Sequence, residues 1–422
     1  MGKKLIIFIF FLTFFSLIVR VYRIGEPDHY YFDEVYHVVT AEAYAQNNPA
    51  AYDPFAKAPK PDTAYDWLHP PFAKLIQAGS IKILGDRPIA WRLPSAIIGT
   101  LVIPATFLLA YLIFGPTVAV FSSLVIAFEN LNLVMSRITM NDAYVTFFIL
   151  ASFILTVLYT TTNKKKFLIW IAVMLGFAVS SKWTGAYAVL VIFVYIFLHQ
   201  LRKRVVSAWI ISLLILPAII YLASYSQFWL QGHSIRQFVD LHKQIWWYQN
   251  RADLEHGYGT TPLFCAPKGL NGPKTWCPWI LDARGVYFSY EQYGEKAGYI
   301  YSLGNPVIFW LGIITVSYLA GKYLEERKRT DALILLGYFV FWVPWIFSPR
   351  IMFLYHYLPS LPFLAVSAGV FLASIYKTKF KLVSILILLV VIAVFIYLFP
   401  ISTGLPIKPE SIDRFMWLST WR

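Results

Sequence analysis

KLIIFIFFLTFFSLIVRVY, residues 4–22, contains no acidic residue and only Lys4 and Arg20 as charges. Coiled as a helix, a run of this length and apolarity spans the roughly 30 Å hydrocarbon core of a bilayer. It resembles a signal peptide in position, but Arg20-Val21-Tyr22-Arg23 offers no small-residue cleavage site, so it reads as a retained first span. The same pattern recurs near 93–114, 117–135, 143–160, 167–181, 184–199, 205–225, 305–320, 331–347, 355–374 and 380–399. The expectation is an all-α polytopic membrane protein of about eleven spans, a single transmembrane domain over 1–422. Composition agrees, because 58% hydrophobic against 14% charged residues exceeds what soluble chains carry.

Basic residues in short loops stay on the cytoplasmic side. One set of alternate connections collects Lys3, Lys4, Lys164, Lys165, Lys166, Arg202, Lys203, Arg204, Lys322, Arg327, Lys328, Arg329, Lys377, Lys379 and Lys381, while the opposite short loops hold only Arg137, Lys182 and Arg350. This split predicts a cytoplasmic N-terminus and an outer C-terminus, in a cell membrane. The net charge of +14 is then a topology signal and an attraction to anionic lipid. Nucleic-acid binding, which needs a soluble basic face, is excluded on this reading.

Two segments on the outer side break the apolar pattern, 23–92 and 226–304. The first starts with the adjacent carboxylates Asp33 and Glu34 and ends in an amphipathic stretch, Phe72 to Leu84, suited to a helix along the membrane surface. The second is rich in Trp, Tyr, Gly and Pro and contains both cysteines, Cys265 and Cys277. Oxidising conditions there permit a disulfide, two free thiols being the alternative. No Gly-rich phosphate loop or zinc spacing occurs, so neither a cytosolic nucleotide substrate nor a metal is expected.

Asp33, Glu34, His69, Arg92, Arg137, Asp142 and Lys182 all fall at the outer ends of spans or in the first loop. Each alone reads equally as a solvated group, a helix cap or a side chain snorkelling to the headgroups. Together they make a carboxylate pair and a cation set on one face. Cations stabilise a departing phosphate, and a carboxylate accepts the proton of an attacking hydroxyl. The chemistry this suggests is glycosyl transfer from a sugar on a polyprenyl phosphate. A transporter or flippase is the rival class, and it would place ionisable residues near mid-span.

The blocks Phe32-Asp33-Glu34-Val35-Tyr36-His37, His69-Pro70-Pro71-Phe72-Ala73-Lys74-Leu75 and Trp91-Arg92-Leu93-Pro94-Ser95 through Leu101 resemble, in order and spacing, the dolichyl-phosphate-mannose–protein O-mannosyltransferase family. Ser136-Arg137 with Asn141-Asp142, Ser180 through Gly185, Leu303 through Pro306, and Tyr355-His356-Tyr357-Leu358-Pro359 look like its later blocks. The resemblance implies a GT-C fold and inverting transfer of mannose from a polyprenyl-phosphate carrier to Ser or Thr, with no cofactor and no metal. It implies Asp33 as general base, Glu34 as its helper and Arg92 on the donor phosphate. His69, Arg137, Asp142, Lys182, His356 and Tyr357 would then line the donor site. Eukaryotic members carry a soluble MIR domain where this chain has only 226–304, which points to a compact prokaryotic member. Related GT-C enzymes act on lipid A or polysaccharide, so protein and glycan acceptors both stand open.

Overall fold

The computed structural model describes residues 1–251, 278–348 and 352–422. Its elements run α1 (Lys3–Val21), α2 (Glu34–Ala45), α3 (Phe72–Leu84), α4 (Pro88–Phe114), α5 (Pro116–Ala127), α6 (Asn130–Met135), α7 (Asp142–Thr162), α8 (Lys166–Ser181) and α9 (Gly185–Arg202). There follow α10 (Ser212–Ser224), α11 (Ser226–Leu230), α12 (Ile235–Gln249), the strands β1 (Val286–Tyr293) and β2 (Lys296–Ser302), then α13 (Pro306–Glu326), α14 (Arg329–Phe339), α15 (Leu361–Tyr376) and α16 (Lys381–Thr403).

Among the described residues eight helices are long and apolar enough to cross a membrane, and three further apolar helices, Pro116–Ala127, Lys166–Ser181 and Ala208–Ser224, are shorter. Every expected span falls on one of these eleven, but helix length does not establish the expected count of complete crossings. The expected span at 117–135 is broken. Glu129, fully buried, accepts from the Leu131 and Asn132 amides to start α6 and so separates it from α5. Proline at the first turn begins α4, α5 and α13, where its missing N–H is not needed. Gly115, at φ 87°, provides the left-handed corner between α4 and α5.

The helix at Leu354–Tyr376 has 83% of its apolar window buried and that at Asp142–Thr162 72%, against 17% for α1 and 28% for α16. α7 and α15 are therefore the centre, joined by Phe153 edge-on to Phe363 at 4.7 Å. α1 and α16 are peripheral and turn Phe10, Phe11, Phe14, Leu382, Leu386 and Ile396 outward. An apolar surface of this extent is stable only against lipid. The basic connections gather at one end of the bundle, where Lys203 Nζ reaches Asn163 Oδ1 at 2.9 Å and Tyr195 donates to the Arg329 carbonyl at 3.3 Å.

One part departs from the all-helical expectation. β1 and β2 form an antiparallel hairpin between α12 and α13, and Ala297 of β2 also bridges to Ile407 beyond α16. Its register skips Phe288, a bulge that turns both Phe288 and Ser289 to the buried face. The expected surface helix at Phe72 to Leu84 is present as α3, packed by Ala73, Lys74, Gln77, Ala78 and Ile81.

Candidate active site

The site begins at a backbone kink. Phe32 has φ 51°, a left-handed conformation costly for a bulky residue, and its ring is held by stacking on the bulged Phe288 at 4.1 Å. The kink ends the extended chain after α1 and leaves Asp33 at the N-cap of α2 without using its side chain as the cap. Among the described residues none hydrogen-bonds the Asp33 carboxylate, which lines a cavity of about 1060 Å³. Burial, the strongest influence, raises its pKa to about 6. His37 and Lys182 oppose that rise, while Asp66 and Asp142 add to it.

Four other expected site residues share this cavity with Asp33: His69, Asp142, Lys182 and His356. Asp142 opens α7 and Lys182 closes α8, and their ion pair is 2.7 Å long. The Lys182 ammonium also lies 5.7 Å above the Tyr355 ring. Lys182 is the one lysine or arginine among the described residues lining the cavity. His356 stacks on Tyr355 at 4.7 Å in the 3-10 turn Leu354–Ser360. These ionisable groups sit at helix ends and not at mid-span.

The structure turns four other expected site residues away from the cavity. Arg92 is fully buried and spends all five guanidinium N–H groups on the protein: Nε and Nη2 grip Glu34 at 2.8 Å each, and Nη1 and Nη2 reach the carbonyls of Ile24, Pro27 and His29. No donor remains for a phosphate. Glu34 is equally buried, also accepts from the Thr139 amide at 3.1 Å, and so braces the loop beneath Asp33 instead of facing the cavity. Arg137 is turned to the carbonyls of Arg20 and Tyr22, 2.7 Å each, and ties the end of α1 to the α6–α7 turn. Tyr357 points the opposite way from His356, into the core, where its hydroxyl donates to Tyr338 at 2.8 Å. Cys265 and Cys277 lie outside the described residues.

Sequence reading gave no role to Asp66, and quoted His37 and Lys74 only as parts of motifs. Asp66 Oδ1 lies 2.9 Å from His69 Nδ1, its Oδ2 lies 3.0 Å from His37 Nδ1 and 2.8 Å from the Lys74 ammonium. Burial works against ionisation of Asp66, yet His69, Lys74 and His37 together hold it well below the usual carboxylate range. Spacing carried a faint signal, since Asp66 precedes His69 by three residues and His37 follows Asp33 by four. Trp183, Tyr221 and His242 form a further wall, linked by Trp183 Nε1 to Tyr221 at 3.0 Å and Tyr221 to His242 at 2.7 Å. Only side-chain packing between α10 and α12 reveals that wall.

His37, Asp66 and His69 offer three ligand atoms within 4.8 Å of one another, the spacing of a metal site. A divalent ion there would stand beside the Lys74 ammonium, which already balances the carboxylate. Two histidines and a carboxylate are a donor set that metals use, and here one oxygen of that carboxylate also takes the Lys74 ammonium at 2.8 Å.

Helices thus surround a largely apolar cavity with ionisable groups at their ends. The yeast protein O-mannosyltransferase Pmt1-Pmt2 complex bound to the sugar donor superimposes with a TM-score of 0.80 at 15% identity, covering 100% of this chain and 93% of that one. ArnT from Cupriavidus metallidurans bound to undecaprenyl phosphate gives 0.61 at 14% identity, over 98% of this chain and 79% of that one. The chain belongs to the dolichyl-phosphate-mannose-protein mannosyltransferase family, whose model matches residues 10–231, and the C-terminal four-transmembrane region of protein O-mannosyltransferases matches 234–421. Polyprenol-phosphate-mannose–protein mannosyltransferases of Mycobacterium tuberculosis and Corynebacterium glutamicum are 22% and 24% identical to it, each over 84% of this chain and 81% of theirs.

Proposed function

We propose that this protein transfers mannose from a polyprenyl-phosphate carrier to Ser or Thr of proteins, with inversion at the anomeric carbon. The observation that carries the reading is one half-buried carboxylate, Asp33, facing a cavity that also holds the Lys182 ammonium. Asp33 takes the proton of the acceptor hydroxyl as its oxygen attacks the anomeric carbon. The carbon–oxygen bond to the phosphate breaks, and Lys182 balances the charge left on the phosphate. A single base with in-line displacement inverts the carbon. A pKa of about 6 leaves Asp33 ionised at neutral pH yet basic enough to accept a proton. The apolar wall of Val189, Leu190, Leu214, Pro217 and Ala218, on α9 and α10, suits the isoprenoid.

The family membership and the names of the mycobacterial and corynebacterial relatives favour a protein acceptor over lipid A or polysaccharide. The Lys74–Asp66 pair favours transfer without a metal. The distribution of basic residues favours a cytoplasmic N-terminus with the cavity on the outer face. Purified protein in lipid nanodiscs, given radiolabelled polyprenyl-phosphate-mannose and a Ser/Thr-rich peptide, should form mannosyl-peptide of the opposite anomeric configuration, undiminished by chelator. Release of free sugar only, or retention of configuration, would overturn the proposal.

A further inference from the structure

Asp66 is fixed through both its backbone and its carboxylate. Its amide donates to Thr40 Oγ1 at 2.7 Å, and Thr40 in turn donates to the Tyr36 carbonyl of α2 at 2.7 Å. Lys74, itself fully buried on α3, donates to both the carboxylate and the backbone carbonyl of Asp66, and to the His69 carbonyl at 3.3 Å. The turn from 66 to 69 is thereby clamped between α2 and α3.

An ionised carboxylate only accepts, so the proton on His69 must be at Nδ1, 2.9 Å from Asp66 Oδ1. Nε2 then presents a lone pair. The His69 side chain lines the cavity, is 22% exposed, and none of the described residues hydrogen-bonds its Nε2. Burial keeps its pKa down at about 4 despite Asp66, so the ring is neutral at physiological pH. A neutral ring with its lone pair outward repels phosphate oxygens and accepts a hydroxyl.

We infer that Asp66 positions His69 so that its Nε2 accepts a hydrogen bond from a hydroxyl of the donor sugar. This rests on the transfer reading above and deepens it, assigning the phosphate to Lys182 and a sugar hydroxyl to His69. In an in-line displacement the sugar lies between the base and the phosphate. His69 shares the cavity with both groups, and its ring is 5.6 Å from His37, one turn after Asp33.

The test uses the full chain in nanodiscs with polyprenyl-phosphate-mannose and four analogues, each lacking one of the 2-, 3-, 4- or 6-hydroxyls. For one hydroxyl, deletion should cost the wild type on the order of tenfold in kcat/KM and cost His69→Ala nothing more. Asp66→Asn should lose part of the same discrimination, because the Lys74 ammonium holds the amide oxygen and turns the amide N–H toward His69, so that Nε2 carries the proton and meets the hydroxyl only as a donor. His69→Gln, with a carbonyl near the Nε2 position, should recover part of the discrimination, and His69→Asn should not. A merely structural Asp66 would lower stability while leaving wild-type sensitivity to every deoxy donor, and that result overturns the inference. So does activity lost to chelator and restored by zinc or magnesium, which makes the cluster a metal centre. No transfer from intact donor by the wild type fails the transfer reading itself.

Discussion

Asp33 and Arg92 carry opposite charges and opposite kinds of work. Asp33→Asn keeps the shape of the side chain and removes the base, so turnover should fall by about 10²–10⁴-fold while donor binding persists. In the wild type kcat/KM should rise with pH through about 6 and then level, since only the ionised carboxylate accepts a proton. Folding raises this pKa, so the native state holds the proton more tightly than the unfolded chain, and ionisation above pH 6 costs stability. Asp33→Asn should therefore melt at a higher temperature than wild type at pH 7.5, the gain shrinking as pH falls from 6 towards 4. A flat pH profile together with a lower melting temperature would remove Asp33 as the base. Arg92→Ala, by contrast, leaves Glu34 buried without its counter-charge and should cost about 3–5 kcal/mol of stability. The protein that still folds should bind donor with near wild-type affinity. A fully stable Arg92→Ala protein unable to bind donor would return Arg92 to the phosphate site.

Elements place these residues through close contacts. Ser95 and Gly99 lie four apart on α4 and form a small-residue stripe of the kind that lets membrane helices approach. A Cβ at Gly99 would fall inside contact distance of the Ser136 hydroxyl and 3.2 Å from Ser136 Cα. Gly99→Ala should thus destabilise by about 1–3 kcal/mol and lower turnover, because Ser136 begins the turn that leads to Asp142. Adding Ser136→Gly should restore part of both, measured as melting temperature and kcat. Equal losses in the single and double variants would show that the approach is not the cause. Sequence reading located α3 at its full extent because amphipathic periodicity is local. It missed the hairpin, which lies in a segment read only as rich in Trp, Tyr, Gly and Pro, and whose Ala297 also bridges to Ile407 far along the chain. It set Arg92 and Tyr357 facing the cavity for a related reason. Adjacent motif residues such as His356 and Tyr357 look alike in a string, and only packing decides which of two neighbours turns inward.

At the scale of the molecule, hydropathy read out the membrane class and the positions of all eleven apolar helices, since each requirement for burial in lipid falls on a continuous stretch. It could not read which helices are central, because α13 and α15 are similarly apolar while α15 is enclosed and α13 largely turned outward. The distribution of basic residues predicts an orientation that can be checked directly. In a background with Cys265 and Cys277 replaced by Ser, Asp62→Cys should label with an impermeant maleimide on intact cells, and Lys164→Cys only after permeabilisation. The reverse pattern would put the cavity on the cytoplasmic face.

The cavity wall on α9 and α10 has a consequence for the carrier. Leu190 and Leu214 line the cavity and are themselves 62% and 46% exposed, so the apolar wall continues into the lipid-facing surface. Drawing an isoprenoid into water would cost roughly 0.8 kcal/mol for each methylene, a sum no headgroup contact repays. A side entrance level with the acyl chains avoids that extraction, because the tail never leaves hydrocarbon.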